Sequence, residues 1–190
     1  MMIKIAANFQ NNKKTFLTKM DKSKKGDIDA KALPIINIIN SLPEYYTTSS
    51  CSGRVYFWRS KGRKNETEWL KVSHDSIETS FFELEDTEGV IFLRVEDFII
   101  HVACKDLPSA NKLMMVARQM YKKSCFLSVS SKIVVEIKGS EFMDMPFYSN
   151  GKPLYAGDLP FLMDMIQQKL RKIWERREKL EEKIKKLTSS

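Results

Sequence analysis

The feature that most limits the fold is a long helical repeat near the end of the chain. Apolar side chains recur there in steps of three and four residues, with one arginine among them. The repeat consists of Ile166, Leu170, Ile173, Arg177, Leu180, Ile184 and Leu187. Steps of this size place all of these side chains on one side of a helix, as in a coiled-coil seam. Asp158 is a suitable N-cap and Pro160 is tolerated in the first turn, so we predict one helix over residues 158–187.

The second half of this helix, from about Trp174, is rich in charge and is expected to project from the domain. Its glutamates alternate with basic residues at the spacing of ordinary i, i+4 ion pairs. Charge therefore does not identify it as an RNA-binding arm. A helix that pairs with a partner or with a second copy of the chain is the alternative.

Two shorter helices are predicted at the other end, in a helical segment over residues 9–42. The first carries an apolar side formed by Phe9, Phe16, Leu17 and Met20. A basic turn at residues 21–26 ends it. Asp29 is a plausible N-cap for the second, isoleucine-rich helix. Pro34 is awkward inside that helix unless it falls in the first turn, so we expect the helix to begin a few residues later.

From residue 45 to residue 138 the pattern favours strands. Predicted strands cover 55–59, 68–74, 80–84, 89–95, 98–104, 126–129 and 133–138. A helix that starts at Asp106 or Ser109 and ends near Tyr121 interrupts them. A basic loop at 60–65 and a long loop at 139–157 are also expected. This order predicts a single compact α+β domain over residues 1–190, with a mostly antiparallel sheet, flanking helices and a long C-terminal helix.

Composition narrows the function classes. The chain has 190 residues and a net charge of +8, which favours a polyanionic partner such as a nucleic acid, although solubility alone would also explain it. No apolar run is long enough to cross a bilayer, and the first residues do not form a secretory signal, so a cytoplasmic protein is expected. Dinucleotide-binding, P-loop, GxSxG and HExxH motifs are absent from the sequence.

The cysteines do not indicate a disulfide framework or a metal site. Cys51, Cys104 and Cys125 form no CxxC pair, and their number is odd. A zinc site built from Cys51, Cys104 and the two histidines would match no known spacing, so no metal is expected.

The most unusual stretch is Tyr45-Tyr-Thr-Thr-Ser-Ser-Cys-Ser-Gly-Arg54, which lies between an apolar helix and an apolar strand. We interpret it as a loop whose hydroxyl and N–H groups bind phosphate or ribose oxygens. The candidate contacts are Ser49, Ser50, Cys51 and Ser52. Gly53 would let the backbone approach closely, and Arg54 could form a fork on a phosphate or stack on a base. The alternative is a strand edge with solvated hydroxyls.

The two histidines are candidates for proton transfer. His74 ends a predicted strand, where a backbone carbonyl would also satisfy it. His101 interrupts an apolar strand and therefore needs a polar partner, a ligand or an exposed face. Glu96, a little earlier in the chain, is the expected carboxylate that orients this imidazole. A purely structural His101–Glu96 pair is equally compatible with the sequence.

Several of these runs resemble one known family. They are residues 24–29, 38–40, 45–54 and 96–105, together with Trp69, His74 and Pro146. The specific part is Thr48-Ser-Ser-Cys-Ser-Gly-Arg54. Over about residues 10–170 the sequence resembles the tRNA wybutosine-synthesizing protein 3 family. It departs from the family pattern at residues 120–125, where Ser124 is retained and Lys123 replaces an arginine.

The resemblance implies an S-adenosyl-L-methionine-dependent N-methyltransferase. Its expected substrate is the tricyclic base derived from guanosine next to the anticodon of phenylalanine tRNA, which makes the tRNA anticodon stem-loop the expected partner. Tyr46 and Trp69 would stack the splayed base, and His74 or His101 would relay the proton that the ring nitrogen loses. The hydroxyl segment and at least one imidazole should then border the same cavity, with room for a flipped nucleoside and the sulfonium of the donor. A non-catalytic RNA-binding module and an assembly factor are the alternatives. No oligomeric state is predicted.

Overall fold

A computed structural model describes residues 2–20, 29–60 and 67–189. The predicted basic turn at 21–26 and nearly all of the predicted basic loop at 60–65 lie outside these ranges. The helices are α1 (Met2–Met20), α2 (Leu33–Ser41), α3 (Leu107–Arg118) and α4 (Leu159–Lys185), and the strands are β1 (Tyr45–Cys51), β2 (Arg54–Ser60), β3 (Thr67–Ser73), β4 (Val90–Glu96), β5 (Ile99–Cys104), β6 (Cys125–Val129), β7 (Ile133–Lys138), β8 (Phe142–Ser149) and β9 (Lys152–Pro153). Within the described ranges, none of the helices combines the length and hydropathy of a membrane span.

The strands form two sheets in which every pair is antiparallel, so the predicted α+β class is confirmed. One sheet has the order β1-β5-β7-β6 and the other the order β3-β2-β4-β8-β9. The chain divides into two compact units. Unit 1 is drawn from residues 1–52, 98–140 and 175–190, and unit 2 from residues 53–97 and 141–174.

In unit 1, one face of the four-stranded sheet forms a core with helices α2 and α3. Its central strands contribute Ile100, Val102, Val135 and Ile137, all fully buried. Helix α2 packs on β1, and α3 packs on β5 and β7. Asp106 caps α3 by accepting a hydrogen bond from the Ser109 N–H at 2.8 Å, as predicted.

Helix α2 corrects one expectation. Asp29 does act as a cap, accepting from the Lys31 N–H at 3.0 Å across a short 3-10 turn at Ala30–Ala32. The α-helix then begins directly at Leu33, and Pro34 lies in its first turn. The predicted later start is wrong because a proline in the first turn removes only an N–H that has no intrahelical partner.

Strand β1 corrects the interpretation of the hydroxyl-rich stretch. It is an edge strand that pairs with β5 from Tyr45 to Cys51, so the stretch is not a loop. The alternative of a strand edge with solvated hydroxyls describes it. Thr47 is buried and Ser49 is exposed, because the register shift between them places Thr47 opposite Val102 and Ser49 opposite His101, which point to opposite faces of the sheet.

In unit 2, the inner face of the five-stranded sheet carries the core. Val55, Phe57, Ile91, Leu93 and Val95 are fully buried there. The predicted strand at 80–84 is wrong: Thr79–Phe82 is a 3-10 helix. Its two phenylalanines pack on Phe57, with ring centroids 5.5 and 6.4 Å away. Burial of both adjacent rings explains why the apolar run is not an alternating strand.

The predicted loop at 139–157 is also wrong, since it contains β8 and β9. Pro146 is accommodated where the register of β4 and β8 shifts, next to a bulge at Phe147. Asn150 and Gly151 both have positive φ, 47° and 79°, which is the geometry of a two-residue hairpin turn. The residues that suggested a loop are therefore a bulge proline and a tight turn.

Helix α4 begins where it was predicted to begin, but its second half packs within unit 1 and does not project. Asp158 caps it, accepting from the Phe161 N–H at 3.3 Å. Its second half belongs to unit 1, and Leu180 and Ile184 are fully buried there. Lys183 also donates to the side-chain oxygen of Gln119 at 2.7 Å. The expected projection is therefore wrong, because the apolar seam continues into a packed helix.

The three thiols are expected to react differently. Burial raises the pKa of the Cys104 thiol to about 12, and the nearby Asp106 carboxylate adds to the rise. A Cys51→Ala/Cys125→Ala variant should therefore resist a thiol-specific disulfide reagent at pH 8 until guanidinium unfolds it. The thiol also ionises more easily in the unfolded chain. The free energy of unfolding should accordingly fall as the pH rises from about 9 towards 12. Rapid labelling of the folded variant would contradict the assignment.

Candidate active site

Four polar side chains form one row across the sheet of unit 1. Ser49 on β1, His101 on β5, Glu136 on β7 and Cys125 on β6 are direct cross-strand partners. The Ser49 Oγ lies 2.9 Å from His101 Nδ1, and His101 Nε2 lies 2.8 Å from Glu136 Oε2. The Cys125 thiol donates a long hydrogen bond, 4.0 Å, to Glu136 Oε1. The row follows from sheet register, because paired residues share one face.

The partners of His101 determine its tautomer. An ionised carboxylate only accepts, so the Nε2–H donates to Glu136. In the neutral ring Nδ1 then holds a lone pair, which accepts the hydroxyl hydrogen of Ser49. The His101 and Glu136 side chains keep 25% and 20% of their surface exposed, and Ser49 is exposed. The row therefore runs from a reachable hydroxyl, through a base, to a stabilising carboxylate.

Ser49 of the hydroxyl segment is in contact with the His101 imidazole, but the carboxylate partner of that imidazole is not the expected one. Glu96 lies at the end of β4 in the other sheet, where it accepts hydrogen bonds from Arg54 at 2.9 Å and from the Tyr56 hydroxyl at 2.7 Å. The carboxylate bonded to His101 is Glu136. Glu136 could have been recognised as a charged residue inside the apolar run 133–137, just as His101 is a polar residue inside its own apolar strand.

The other members of the hydroxyl segment have different environments. Ser50 is paired with the core residue Ile100 and is half-buried. Cys51 is half-buried and lies on the same side of β1 as Ser49. Ser52 is fully buried, and its N–H donates to Asp29 at 2.7 Å. Ser49 is thus the member of the segment that belongs to the polar row.

Tyr46 is a second correction. It is only 1% exposed, and its ring is covered by Phe9 and Phe16 at centroid distances of 5.3 and 5.7 Å. Helix α1 supplies both phenylalanines. The tyrosine is therefore a core residue and offers no face on which a base could stack.

The remaining predicted residues lie in unit 2. The Arg54 guanidinium is 4.2 Å from the ring centroid of Trp69, which is 52% exposed. Both Nε and Nη2 of Arg54 donate to Glu96, which favours a stacking role over a fork on a phosphate. The His74 Nδ1–H donates to the carbonyl of Gly53 at 3.1 Å. The ring therefore has the backbone carbonyl partner that was one of the two sequence-based interpretations. Gly53 has φ of 95°, a conformation that favours glycine.

Comparison with known proteins supplies the class and the family. Residues 11–186 match the family model described as Methyltransferase TYW3. The protein is therefore a methyltransferase, an enzyme that uses a methyl donor. The chain belongs to this TYW3 family.

Named relatives agree with the family match. One from Thermococcus sibiricus, 36% identical over 95% of this chain and 96% of its own length, is called tRNA(Phe) 7-((3-amino-3-carboxypropyl)-4-demethylwyosine(37)-N(4))-methyltransferase. A Xenopus laevis protein, 30% identical over 85% of this chain and 68% of its own length, is called tRNA wybutosine-synthesizing protein 3 homolog. These names confirm the resemblance seen in the sequence.

Solved structures share the fold. The PH1069 protein of Pyrococcus horikoshii superposes with a TM-score of 0.86 and 30% identity, covering 95% of this chain and 98% of that protein. A hypothetical protein from Aeropyrum pernix has a TM-score of 0.71 at 23% identity, covering 85% of this chain and all of that protein. The second likeness shows the fold alone.

Proposed function

We propose that this chain transfers a methyl group from S-adenosylmethionine to N4 of the 4-demethylwyosine-type base next to the anticodon of tRNA(Phe). The family supports methyl transfer, and the relative from Thermococcus sibiricus is named for this substrate. The observation that carries the proposal is the Ser49–His101–Glu136 row, since methylation of a ring N–H needs a group that takes up its proton.

The proton follows the row in this mechanism. Ser49 Oγ accepts the hydrogen of the substrate nitrogen while its own hydrogen passes to His101 Nδ1. Glu136 stabilises the imidazolium that results, because its carboxylate already accepts the Nε2–H. S-adenosylmethionine supplies the methyl as a sulfonium electrophile, whose S–CH₃ electron pair stays on sulfur. Most of the acceleration would come from holding the reacting atoms in line.

The row also suits a cationic donor. It contains the Glu136 carboxylate together with the hydroxyl oxygen of Ser49 and the sulfur of Cys125, and such groups stabilise a sulfonium better than an anion. In this proposal Ser49 and Cys51, on one side of β1, face the reacting nucleotide. Ser50 lies opposite the core residue Ile100 and Ser52 is buried, so both support the strand. Glu136 replaces Glu96 as the residue that positions His101.

Unit 2 contributes to RNA binding in this proposal. Arg54 and Trp69 would stack a base of the anticodon loop, with Glu96 and Gly53 holding Arg54 and His74 in place. The net charge of +8 fits a tRNA partner. The cytoplasmic location remains a prediction.

The direct test is methyl transfer to precursor tRNA. Purified protein is incubated with tRNA(Phe) that carries the unmethylated tricyclic base and with S-adenosylmethionine labelled in its methyl group. Mass analysis of the nucleosides should show one labelled methyl group on the tricyclic nucleoside, at N4. Saturable tRNA binding without transfer, and without a calorimetric signal for the donor, would instead support a non-catalytic RNA-binding module.

A further inference from the structure

The outer face of the sheet in unit 2 has an unusual composition. The solvated face of an antiparallel sheet normally carries polar side chains. Here it carries five aromatic rings and two arginines, while the core residues point to the inner face. We call this outer face the stacking face, and it comprises Arg54, Tyr56, Trp58, Trp69, Phe92, Arg94 and Phe142.

Guanidinium groups and rings alternate across the stacking face. Arg54 lies 4.2 Å from the Trp69 ring centroid and 4.9 Å from that of Tyr56. Arg94 lies 4.3 Å from the Trp58 centroid and 5.5 Å from that of Phe142. Successive contacts of this kind connect β3 to β8 through β2 and β4. Three strand spacings give an array about 14 Å wide, which exceeds the width of one base.

The arginines of this array are held in place by carboxylates. Glu96 accepts from Arg54 at 2.9 Å, and Asp144 accepts from Arg94 at 2.6 Å and from the Trp58 indole N–H at 3.3 Å. These contacts fix the guanidinium planes and the indole before a ligand arrives. A prearranged surface loses less conformational entropy on binding.

The rings at both ends of the array are open to solvent. Trp69 is 52% exposed and Phe142 is 57% exposed. Unpaired nucleobases stack on aromatic rings and on guanidinium planes, and both are present on this face. The neutralising carboxylates reduce the attraction for phosphates, so the face suits bases more than the RNA backbone.

We infer that the stacking face binds consecutive unpaired bases of the RNA substrate, with one base on the Trp69 end and another on the Phe142 end. The inference rests on the proposed function, because it takes the substrate to be a tRNA loop. It extends that function by assigning Trp58, Arg94 and Phe142, which lie outside the signature segment, to loop recognition.

The test measures affinity for a fluorescently labelled anticodon stem-loop RNA and for a fully paired RNA of equal length. A Trp69→Ala/Phe142→Ala variant should bind the stem-loop at least about 25-fold more weakly, since each of the two stacked bases contributes about fivefold or more. Its affinity for the paired RNA and the salt dependence of binding should stay as in the wild type, because no phosphate contact is removed. Trp69→Phe should retain most of the affinity.

Phe161→Ala is the matched control, because Phe161 is also a phenylalanine of unit 2 and is 61% exposed, but it lies on α4. Its stem-loop affinity should equal that of the wild type. Equal weakening by the control, or wild-type affinity of the double variant, would overturn the inference. Circular dichroism and thermal unfolding confirm that each variant is folded.

Methyl transfer by the wild-type protein separates this inference from the proposed function. If the wild type methylates precursor tRNA and the double variant binds the stem-loop normally, the inference fails and the proposed function stands. If the wild type transfers no methyl group, but the Trp69→Ala/Phe142→Ala variant binds the stem-loop more weakly than the wild type, the proposed function fails and the stacking face stands.

Discussion

Replacing His101 with alanine is expected to lower kcat for methyl transfer by about 10²–10⁴-fold, the usual effect of removing a positioned general base. In the proposed relay the imidazole, 2.9 Å from Ser49, receives the proton of that hydroxyl, so its loss would leave the substrate proton without an acceptor of sufficient basicity. It lies behind Ser49 in the row, so the affinity for tRNA should change little. Single-turnover transfer with saturating donor measures the rate, and stem-loop binding measures the affinity.

A series of variants along the row tests the order of the relay. Glu136→Gln keeps the shape of the side chain and removes the charge that stabilises the imidazolium, so its loss of rate should be smaller than that of His101→Ala. Ser49→Ala removes the reachable end of the row and should also lower kcat. The effects should be far from additive, because the three residues act as one unit.

The matched control for Ser49 is Ser128→Ala, which removes another hydroxyl from the same sheet. Ser128 lies on β6 outside the row, and its hydroxyl forms a hydrogen bond with that of Ser130 at 3.2 Å. The kcat of Ser128→Ala should therefore equal that of the wild type. Near-normal turnover of His101→Ala would exclude this relay. If His74→Ala instead removed activity, His74, whose ring donates to the Gly53 carbonyl, would be the proton acceptor. Normal turnover of both histidine variants would exclude either route.

The elements that the sequence predicted well are those with local causes. The N-cap at Asp158 and the spacing of Leu170, Ile173 and Leu180 are properties of one helix, and the structure has the cap and buries all three side chains. What covers that seam depends on residues far away in the chain. The charged second half therefore looked like a projecting arm, although Leu180 and Ile184 are buried in unit 1.

The active-site row shows the opposite case. His101 and Glu136 are 35 residues apart and meet because β5 and β7 pair in one register. Local pattern predicts both strands but not which residues stand opposite each other, so Glu96, nearer in the chain, was the natural partner to expect. Register is decided by the packing of whole sheets, and a shift of one residue would turn either side chain to the other face.

Burial by a distant helix explains the Tyr46 correction. The sequence shows a tyrosine beside a hydroxyl segment, which is compatible with base stacking. The structure covers that ring with Phe9 and Phe16 of α1. The apolar side of α1 was predicted, but the surface on which it packs was not, because a helical period identifies a buried face and not its partner.

The arginine within the apolar seam of α4 gives a second large effect, this time on stability. The Arg177 and Glu181 side chains are only 6% and 10% exposed, and Arg177 Nε donates to Glu181 at 3.0 Å. Glu181→Ala removes this partner and leaves a buried guanidinium whose remaining ion pair, among the described residues, is with the exposed Glu178 at 3.5 Å. The free energy of unfolding, measured by urea titration, should fall by about 3–5 kcal/mol.

Replacing both partners should behave differently from breaking the pair. Burial raises the pKa of the Glu181 carboxyl despite the attraction of Arg177, so the cost of desolvation exceeds the gain from pairing. The free energy of unfolding should therefore fall as the pH rises from the ordinary carboxyl pKa through the higher folded pKa of Glu181. Because the ionised pair adds little net stability, Arg177→Met/Glu181→Leu should unfold at nearly the wild-type urea concentration. Glu182→Ala, which breaks an exposed pair with Lys185, is the control and should leave the urea midpoint unchanged. If Glu181→Ala were as mild as that control, or the double variant as damaging as the single one, the guanidinium would not depend on this carboxylate.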